Sequence, residues 1–536
     1  MAGKQRFFGL RGTNLQRAIA LVSGIDLLLF GYDQGVMGGL LTLPSFTATF
    51  PEICTNPSCI ADMTASQKSH RSLAQGIAVS SYNLGCFAGA LLTVIIGDRL
   101  GRRRCIFLGS VIMVIGAILQ ASAFSLAHLV VGRLICGIGN GINTSTVPVW
   151  QVECSKPHRK GQAIVFELSI VILGVALSYW IDFGFSFLDP SSAAWRAPIA
   201  IQLLFSIFVA SVVLTMPESP RYLILKDRDD EALEVLSAIN GLPADDVELQ
   251  VQLRSVKATT AASAQGSYRD LFTMGRTKNF QRTALAYGIQ VMQQVTGINL
   301  ITYYAATIYQ NDVGLSGFLS RILAAANGTE YFLATIPTIF LVEKCGRRPL
   351  LFVGSTGMAI SMIILTVTTS IGSAQSGIAA ATFLFVFNTF FAIGWVSLPW
   401  LMPSELVPVG IRAQANALST SANWIFNFLV VMITPVAFAM IGPKAYIIFA
   451  VFNAVSIPIV YFCYPETAYR SLEEIDLIFA KSTGVYDAVK VAKSMPNHFG
   501  KHGEVLIDML PEVEHEIALT DKSEKVYEVK HVEPKE

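Results

Sequence analysis

Long apolar runs, separated by polar stretches, recur along the chain from residue 18 to residue 464. A helix needs ~20 mostly apolar residues to cross a bilayer. Because a run buried in hydrocarbon has no water to bond its backbone groups, each run must be an α-helix. The pattern predicts an all-α membrane protein with twelve transmembrane helices, numbered 1 to 12, over 18–43, 76–96, 105–123, 126–151, 162–185, 196–216, 281–310, 318–342, 349–370, 379–403, 413–440 and 443–464.

Two longer polar segments divide these helices into groups. Residues 217–280 are rich in charge and separate the first six runs from the last six. After residue 464 the chain is polar again and alternates Lys with Glu and Asp, a composition typical of disorder. We therefore expect a cytosolic N-terminus (1–17), a first six-helix half (18–216), a cytosolic linker with amphipathic helices (217–280), a second six-helix half (281–464) and a cytosolic, largely disordered tail (465–536).

Composition and charge agree with a membrane protein. Only 14% of the 536 residues are charged, whereas a soluble domain has about 25%, and the mean hydropathy is +0.52. The net charge of +1 excludes a strongly basic nucleic-acid binder. Arg and Lys gather in alternate loops, and positively charged loops stay in the cytosol. We expect a multi-pass monomer of the plasma membrane with both termini in the cytosol.

The two groups of six helices repeat each other. Three motifs of the first half recur in the second at a nearly constant interval: Gly97–Arg103 as Val342–Arg348, Glu153 as Glu405, and Pro217-Glu218 as Pro465-Glu466. The order indicates a tandem duplication with the same topology in each half. Parallel repeats of this kind build alternating-access transporters, whose substrate site lies between the halves near the bilayer midplane.

The repeated loops also suggest a gate at the cytosolic side. Their Arg residues and their acidic partners can pair across this face through charge-assisted hydrogen bonds. Bonds made only while this face is closed would favour the outward-open state. The alternative is that the Arg residues only follow the positive-inside rule. The predicted cytosolic gate consists of Arg102, Arg103, Glu153, Glu218, Arg347, Arg348, Glu405 and Glu466.

Further motifs between residues 18 and 480 resemble the sugar porter family of the major facilitator superfamily. They are Pro217–Leu223 (PESPRYL), Gln293–Asn299 (QQVTGIN) and Pro465–Glu474 (PETAYRSLEE), the last with Ala468-Tyr469 where the family usually has Lys-Gly. Trp150–Glu153 and Ser178–Gly184 resemble the fungal branch that includes glycerol–proton symporters. The resemblance implies the major facilitator fold and proton-coupled transport of a sugar or polyol. An uncoupled facilitator and a transporter-like nutrient sensor remain the alternatives.

Proton coupling is assigned to two charged residues inside predicted helices. Asp33 lies within helix 1, where a carboxylate costs about 2.5–3.5 kcal/mol to insert and so needs a partner or a task. Arg133 in helix 4 is the natural partner, and the resemblance implies that this pair is the proton switch. The alternative is a static ion pair. Asp26 is expected at the membrane interface, and Asp182 near the outer end of helix 5.

The substrate site is assigned mainly to the amides of helix 7. The resemblance implies that Gln293, Gln294 and Asn299 bind sugar, and Tyr304 falls on the same helical face as Gln293. Interhelical hydrogen bonds are the alternative role. Leu168 and Tyr331 stand where the family usually has Gln and Asn, which favours a smaller polyol or a pentose over glucose. Helices 10 and 11 add Trp400, Asn423 and Asn427 at matching positions.

The remaining motifs indicate neither an enzyme nor a cofactor. No Walker loop, metalloprotease motif or nucleophile elbow occurs, and the eight cysteines show no metal-ligand spacing. Cys54 and Cys59 fall in the first loop, which the charge rule places outside the cell. They could form a small disulfide loop or remain free thiols.

Overall fold

The computed structural model describes residues 6–55, 59, 62–155, 160–243, 245–264, 267–484 and 486–495. All regular secondary structure within these ranges is helical. In the first half the six predicted spans are single helices, and the bounds of helices 1 to 6 are Thr13–Leu40, Ala65–Leu100, Arg102–Ala121, Leu126–Glu153, Lys160–Phe185 and Ala193–Val213.

The second half contains the other six spans, and two of its helices are broken. Helix 7 consists of Asn279–Val295 and Ile298–Asn311, and helix 10 of Ala374–Gly394 and Leu398–Leu406. The other helices, 8, 9, 11 and 12, are Gly317–Cys345, Arg347–Ile371, Arg412–Ile441 and Ala445–Cys463. The predicted twelve-helix architecture is confirmed, with two helices interrupted near mid-membrane.

Hydropathy alone would miss three of these twelve helices. By length and apolar composition, eight segments of the described residues qualify as membrane spans, and one of them, Val409–Cys463, contains both helix 11 and helix 12. Helices 4, 7 and 8 do not qualify. They carry polar residues into the bundle, among them Arg133, Gln293 and Asn327, which are buried.

The outer surface of the bundle is apolar, as a lipid-facing surface must be. Large aliphatic side chains such as Leu204 and Ile363 are 69% and 54% exposed. In a soluble protein so much exposed apolar surface would cause aggregation. Here the exposed apolar belt is of the kind that a membrane-spanning bundle requires.

Helix 1 packs closely on helix 5 through a row of glycines. A Cβ at Gly31 would overlap the carbonyl oxygen of Val171, and one at Gly39 would overlap the carboxylate of Asp182. Small residues let membrane helices approach until their backbones touch, which is a main source of their association. The row consists of Gly31, Gly35, Gly38 and Gly39.

The linker and the beginning of the tail are helical. The linker contains Pro220–Leu225, Asp229–Asn240 and Val247–Ala264. The tail contains Leu472–Lys481 and Asp487–Ser494, and its first helix docks on helix 7 through an ion pair of Asp476 with the buried guanidinium of Arg282. The expectation of disorder is therefore wrong for Leu472–Lys481 and Asp487–Ser494, whereas residues 496–536 lie outside the described part of the chain.

The two ends of the bundle differ in chemistry. One end carries the repeated Arg and Glu loops and is called the basic end below. The other carries a disulfide between Cys54 and Cys59 and is called the disulfide end. The disulfide resolves the question that the sequence left open.

Hydrogen bonds join the two halves from mid-membrane to the disulfide end. Tyr179 OH donates to the carbonyl of Thr302 at 2.8 Å, and Trp180 Nε1 donates to Thr329 Oγ1 at 2.8 Å. Nearer mid-membrane, Asn83 Nδ2 donates to Asn427 Oδ1 at 2.9 Å. These bonds close the space between the halves on the side of the disulfide end.

We predict that Gly31→Ala strongly destabilises the protein, because the added methyl group overlaps the backbone of helix 5 and forces helices 1 and 5 apart. Gly184→Ala is the matched control, since nothing lies within 4 Å of its Cβ position. It should be neutral or stabilising by up to ~1 kcal/mol, because Ala favours the helix. Thermal unfolding in detergent measures both, and equal midpoints would contradict the close packing.

Candidate transport site and gates

A cavity lies between the halves near the middle of the bundle. Helices 1 and 5 form one wall, and helices 7, 8, 10 and 11 form the other. Six of the seven predicted substrate residues line it, namely Gln293, Gln294, Asn299, Trp400, Asn423 and Asn427. Tyr304 does not line it.

Tyr304 is displaced because helix 7 is not continuous. Gly297 adopts φ +98°, a left-handed conformation that separates the two segments of the helix. The spacing that placed residues 293 and 304 on one face therefore no longer applies. Tyr304 OH instead donates to the carbonyl of Val431 at 3.0 Å. The neighbouring Tyr303 OH donates to Asn83 Oδ1 at 3.0 Å and belongs to the closure of the disulfide end.

Gln293 occupies the break in helix 10. An interrupted helix leaves carbonyl groups without intrahelical donors. Gln293 Nε2 donates to two of these carbonyls, those of Trp395 at 2.6 Å and Val396 at 3.2 Å. Its Oε1 accepts a hydrogen bond from Asn423 Nδ2 at 2.9 Å. In this conformation Gln293 therefore has the interhelical role that the sequence left as an alternative, joining helices 7, 10 and 11.

The amides of the second half form a connected chain along the cavity wall. Asn299 Nδ2 donates to Gln294 Oε1 at 2.6 Å, and Gln294 Nε2 donates to Gln293 Oε1 at 3.2 Å. Asn423 Nδ2 also donates to Oε1 of Gln290 at 2.6 Å. Gln290 was not predicted, although its position one helical turn before Gln293 and Gln294 was a signal for it. Such a chain can exchange its internal bonds for bonds to hydroxyl groups, because each amide both donates and accepts.

The wall contributed by the first half is mostly apolar. It presents five apolar side chains and one amide, that of Gln34. Leu168 and Tyr331 both line the cavity, so the two departures from the family pattern lie in the site itself. Sequence reasoning missed Gln34, although it follows Asp33 directly. The apolar residues of this wall are Phe30, Leu168, Val171, Ile172 and Val175.

Asp33 and Arg133 are both buried and both contact Tyr82, Asp33 at its hydroxyl group and Arg133 at its ring. Asp33 is 2% exposed, and its Oδ2 accepts from Tyr82 OH at 3.4 Å, while its Oδ1 has no partner. Arg133 is 1% exposed, donates to the carbonyl of Val79 at 3.0 Å and lies 5.3 Å from the Tyr82 ring centroid. The predicted ion pair is therefore not formed in this conformation. A buried carboxylate oxygen without a donor is costly, so the arrangement suits a protonated carboxyl group.

Two further acids lie deeper than the sequence suggested. Asp26 is 2% exposed and accepts a hydrogen bond from Asn143 Nδ2 at 2.6 Å, so it is not an interfacial residue. Asp182 is 1% exposed and packs against Gly39 of helix 1. The expectation of an interfacial Asp26 is wrong, because this residue lies at the middle of helix 1 and helix 4 packs against it. Asp182 lies toward the end of helix 5 as expected, but the close packing of helix 1 buries it.

The predicted gate residues of the first half form a compact cluster at the basic end. Gly101 adopts φ +85°, and the backbone N–H groups of Arg102 and Arg103 that follow it donate to Glu218 Oε1 at 3.1 and 3.3 Å. Arg102 Nε donates to Glu153 Oε2 at 3.1 Å. A carboxylate at this helix N-terminus is favoured by the helix dipole.

The second half repeats this cluster. Gly346 adopts φ +84°, and the N–H groups of Arg347 and Arg348 donate to Glu466 at 2.9 and 3.0 Å. Arg347 also pairs with Glu405 at 2.9 Å. The four predicted acidic residues all take part, and Glu343, which was not predicted, also pairs with Arg347. Each of these bonds lies within one half and forms while the disulfide end is closed, whereas the prediction placed them across this face with that end open.

Comparisons with known proteins match nearly the whole transmembrane region. The family model described as "Sugar (and other) transporter" matches residues 19–479. The sugar transporter STL1 of Saccharomyces cerevisiae is 39% identical over 89% of this chain and 83% of its own length. The high glucose sensor RGT2 of the same yeast is 32% identical over 88% of this chain and 62% of its own length. The proton:xylose symporter XylE has a similar fold, with a TM-score of 0.72 at 24% identity over 87% of this chain and all of that structure.

We predict that Gln293→Ala lowers both stability and apparent substrate affinity, each by roughly 1–3 kcal/mol, because it leaves buried carbonyls without donors and breaks the amide chain. Asn388→Ala is the control, since its amide bonds Asn327 at 2.8 Å away from the cavity lining. It should reduce stability alone. Thermal unfolding and uptake of labelled glycerol, xylose and glucose measure the two effects. Unchanged substrate affinity in Gln293→Ala would contradict the assignment of the substrate site to helix 7.

Proposed function

Because the chain belongs to the sugar transporter family of the major facilitator superfamily, we propose that it carries a small polyol or a pentose across the membrane together with a proton. The protein is a multi-pass membrane transporter of a sugar or polyol that works by alternating access, and it is not an enzyme. We further propose that it is a monomer of the plasma membrane whose basic end faces the cytosol. The closed disulfide end then makes this conformation inward-facing.

Polar side chains line mainly one side of the cavity, and this distribution supports a small substrate. Most of the lining amides come from the second half, whereas the first half presents an apolar wall with Gln34. A hexose with hydroxyls around its whole ring would leave several of them unpaired against Leu168 and Ile172, which is costly in a dry site. A shorter polyol or a pentose leaves fewer hydroxyls unpaired. Trp400 and Phe391 offer aromatic faces to its C–H edges.

One observation carries the proposal of proton coupling. Asp33 is buried with one carboxylate oxygen unpartnered, although Arg133 lies just beyond Tyr82. When the two charges meet, the carboxylate is stabilised as an ion; when they separate, desolvation favours its protonation. A carboxyl group that gains a proton in one conformation and loses it in the other couples the proton to the conformational cycle. Each proton that enters adds about 2.3 kcal/mol per 100 mV of membrane potential.

The similarity to RGT2 keeps a glucose sensor as the second candidate. A sensor would bind sugar without moving it across the membrane. Uptake of labelled glycerol, xylose, glucose and galacturonate into transport-deficient cells distinguishes the two. We expect uptake of glycerol or xylose that stops when a protonophore is added. Absence of uptake with intact surface expression would favour the sensor, and uptake indifferent to the protonophore would favour an uncoupled facilitator.

We predict that Asp33→Asn abolishes accumulation against a gradient but retains exchange down a gradient, because the amide keeps the shape and cannot change its charge. The measurement uses purified protein in liposomes with an imposed pH gradient and an internal pH dye. Substrate entry without proton movement in the wild type would contradict coupling.

Asp312→Asn is the matched control for this experiment. Asp312 lies outside the membrane spans at the end of helix 7 and accepts a hydrogen bond from Tyr446 OH at 3.0 Å. Burial raises the pKa of Asp312 to about 6 despite that hydrogen bond, so this acid also titrates in the physiological range. Coupling should survive in Asp312→Asn. Equal loss in both variants would show that carboxyl removal acts generally and not through helix 1.

A further inference from the structure

A row of buried polar groups runs along helices 1 and 4 from Asp33 toward the basic end. Asp26 precedes Asp33 by two helical turns, about 10.5 Å, and so lies on the same face of helix 1. Helix 4 faces the row with Cys136, whose Sγ is 3.7 Å from Asp33, and with Asn143, whose Nδ2 is 2.6 Å from Asp26. Asn140 lies between them with its Oδ1 unpartnered.

Only one of the two carboxylate oxygens of Asp26 has a hydrogen-bond partner. Its Oδ1 accepts from Asn143, which also donates to Ser110 Oγ at 3.1 Å, but its Oδ2 has no partner. Ser23, one turn nearer the basic end, is fully buried and its hydroxyl is also unpartnered. An ionised carboxylate in such a site would lack the donors that replace water, so the neutral acid is favoured.

The charges buried in the first half cannot all be ionised at once. Among its described residues the buried ionic side chains are one base, Arg133, and the acids Asp26, Asp33, Glu167 and Asp182. Glu167 and Asp182 lie on helix 5, while the other groups near the row are neutral: Tyr82 and Cys86 of helix 2, and Gln202 of helix 6. One guanidinium balances one carboxylate, and an uncompensated buried charge costs several kcal/mol. Arg133 can therefore balance the charge of only one of these acids, so at least one of Asp26 and Asp33 holds a proton.

We propose that Asp26 is a second proton-binding site, which takes the transported proton from Asp33 and releases it at the basic end. This inference rests on the proposed coupling through Asp33. In the transfer, the O–H bond of the Asp33 carboxyl group breaks and an O–H bond forms at Asp26 Oδ2, with water along the row as the carrier. The pair keeps a net charge of −1, so Arg133 balances it before and after the transfer.

Release then resets the switch. Loss of the proton from Asp26 to water at the basic end leaves two carboxylates beside one guanidinium. That excess negative charge favours uptake of the next proton by Asp33 once the disulfide end opens. Two further polar groups are available to water along the row, the unpartnered Oδ1 of Asn140 and the Cys86 thiol, which lies 3.3 Å from Asn140 Nδ2.

The test measures substrate transport and proton uptake in the same liposomes. In liposomes with an internal pH dye and xylose or glycerol as the probe, proton uptake by Asp26→Asn should fall by about 10-fold or more, as expected for loss of a proton-transfer group. Exchange of the same probe at equal concentrations should stay near the wild-type rate. Asp26→Glu, which restores a titratable group, should recover proton uptake. Wild-type proton uptake in Asp26→Asn would overturn the relay and leave the coupling through Asp33 intact.

Infrared spectroscopy tests whether Asp26 binds a proton, and it needs no substrate. A protonated carboxyl group has its own carbonyl band, and a pH titration of the purified wild type should show a band that Asp26→Asn lacks and Asp26→Glu shifts. Asp33→Asn should move the pH at which that band disappears, because the two acids share a proton. Identical spectra for the wild type, Asp26→Asn and Asp26→Glu would show that Asp26 binds no exchangeable proton. Failure of coupling itself would appear separately, as a wild type that moves its probe without protons.

Discussion

Inside a bilayer every polar group must find its partner within the protein, and this constraint decides where the chain can be irregular. At both broken helices, amide side chains donate hydrogen bonds to the backbone carbonyls that the break leaves without partners. Gln293 donates to the carbonyls freed at the break in helix 10, and Asn453 of helix 12 donates at 2.7 Å to the carbonyl of Thr296, freed at the break in helix 7. The breaks bring polar backbone and amides to the cavity. The same groups that make the irregular backbone tolerable therefore form the site where hydroxyls can bind.

The Arg and Glu clusters at the basic end satisfy the same constraint. In each half a glycine with positive φ lets two backbone N–H groups at a helix N-terminus converge on one carboxylate, Glu218 or Glu466. A Cβ on Gly101 or Gly346 would come within 2.8 Å of that carboxylate, so the motif requires glycine for space as well as for conformation. Because each cluster closes within its own half, it stiffens that half as a unit. Alternating access then works by movement of one stiff half against the other.

The sequence predicted those parts that depend on local pattern. Twelve apolar runs identified the helices, and the duplicated loops identified four of the acidic residues in the clusters at the basic end, but not Glu343, which also pairs with Arg347. It failed where tertiary packing decides. Tyr304 was misplaced because one glycine conformation at residue 297 ends the helical periodicity. Asp26 was judged interfacial because it lies on the cytosolic side of Asp33 along helix 1, and only the packing of helix 4 shows that Asn143 binds it. The tail helix at residues 472–481 looked polar enough for disorder, yet Arg282 of the bundle holds it through Asp476.

The duplication has kept the loops alike while the two cores have diverged. The buried ionic groups near mid-membrane belong to the first half, and most of the amides that line the cavity belong to the second. A coupled transporter must connect these two chemistries, and helix 1 does so over little more than one turn. Phe30 and Gln34 line the cavity on either side of Asp33 along the helix. A substrate that packs on those two side chains therefore fixes the same segment that holds the buried carboxyl group. Under the proposed coupling, substrate binding and protonation of Asp33 therefore act on the same segment of helix 1.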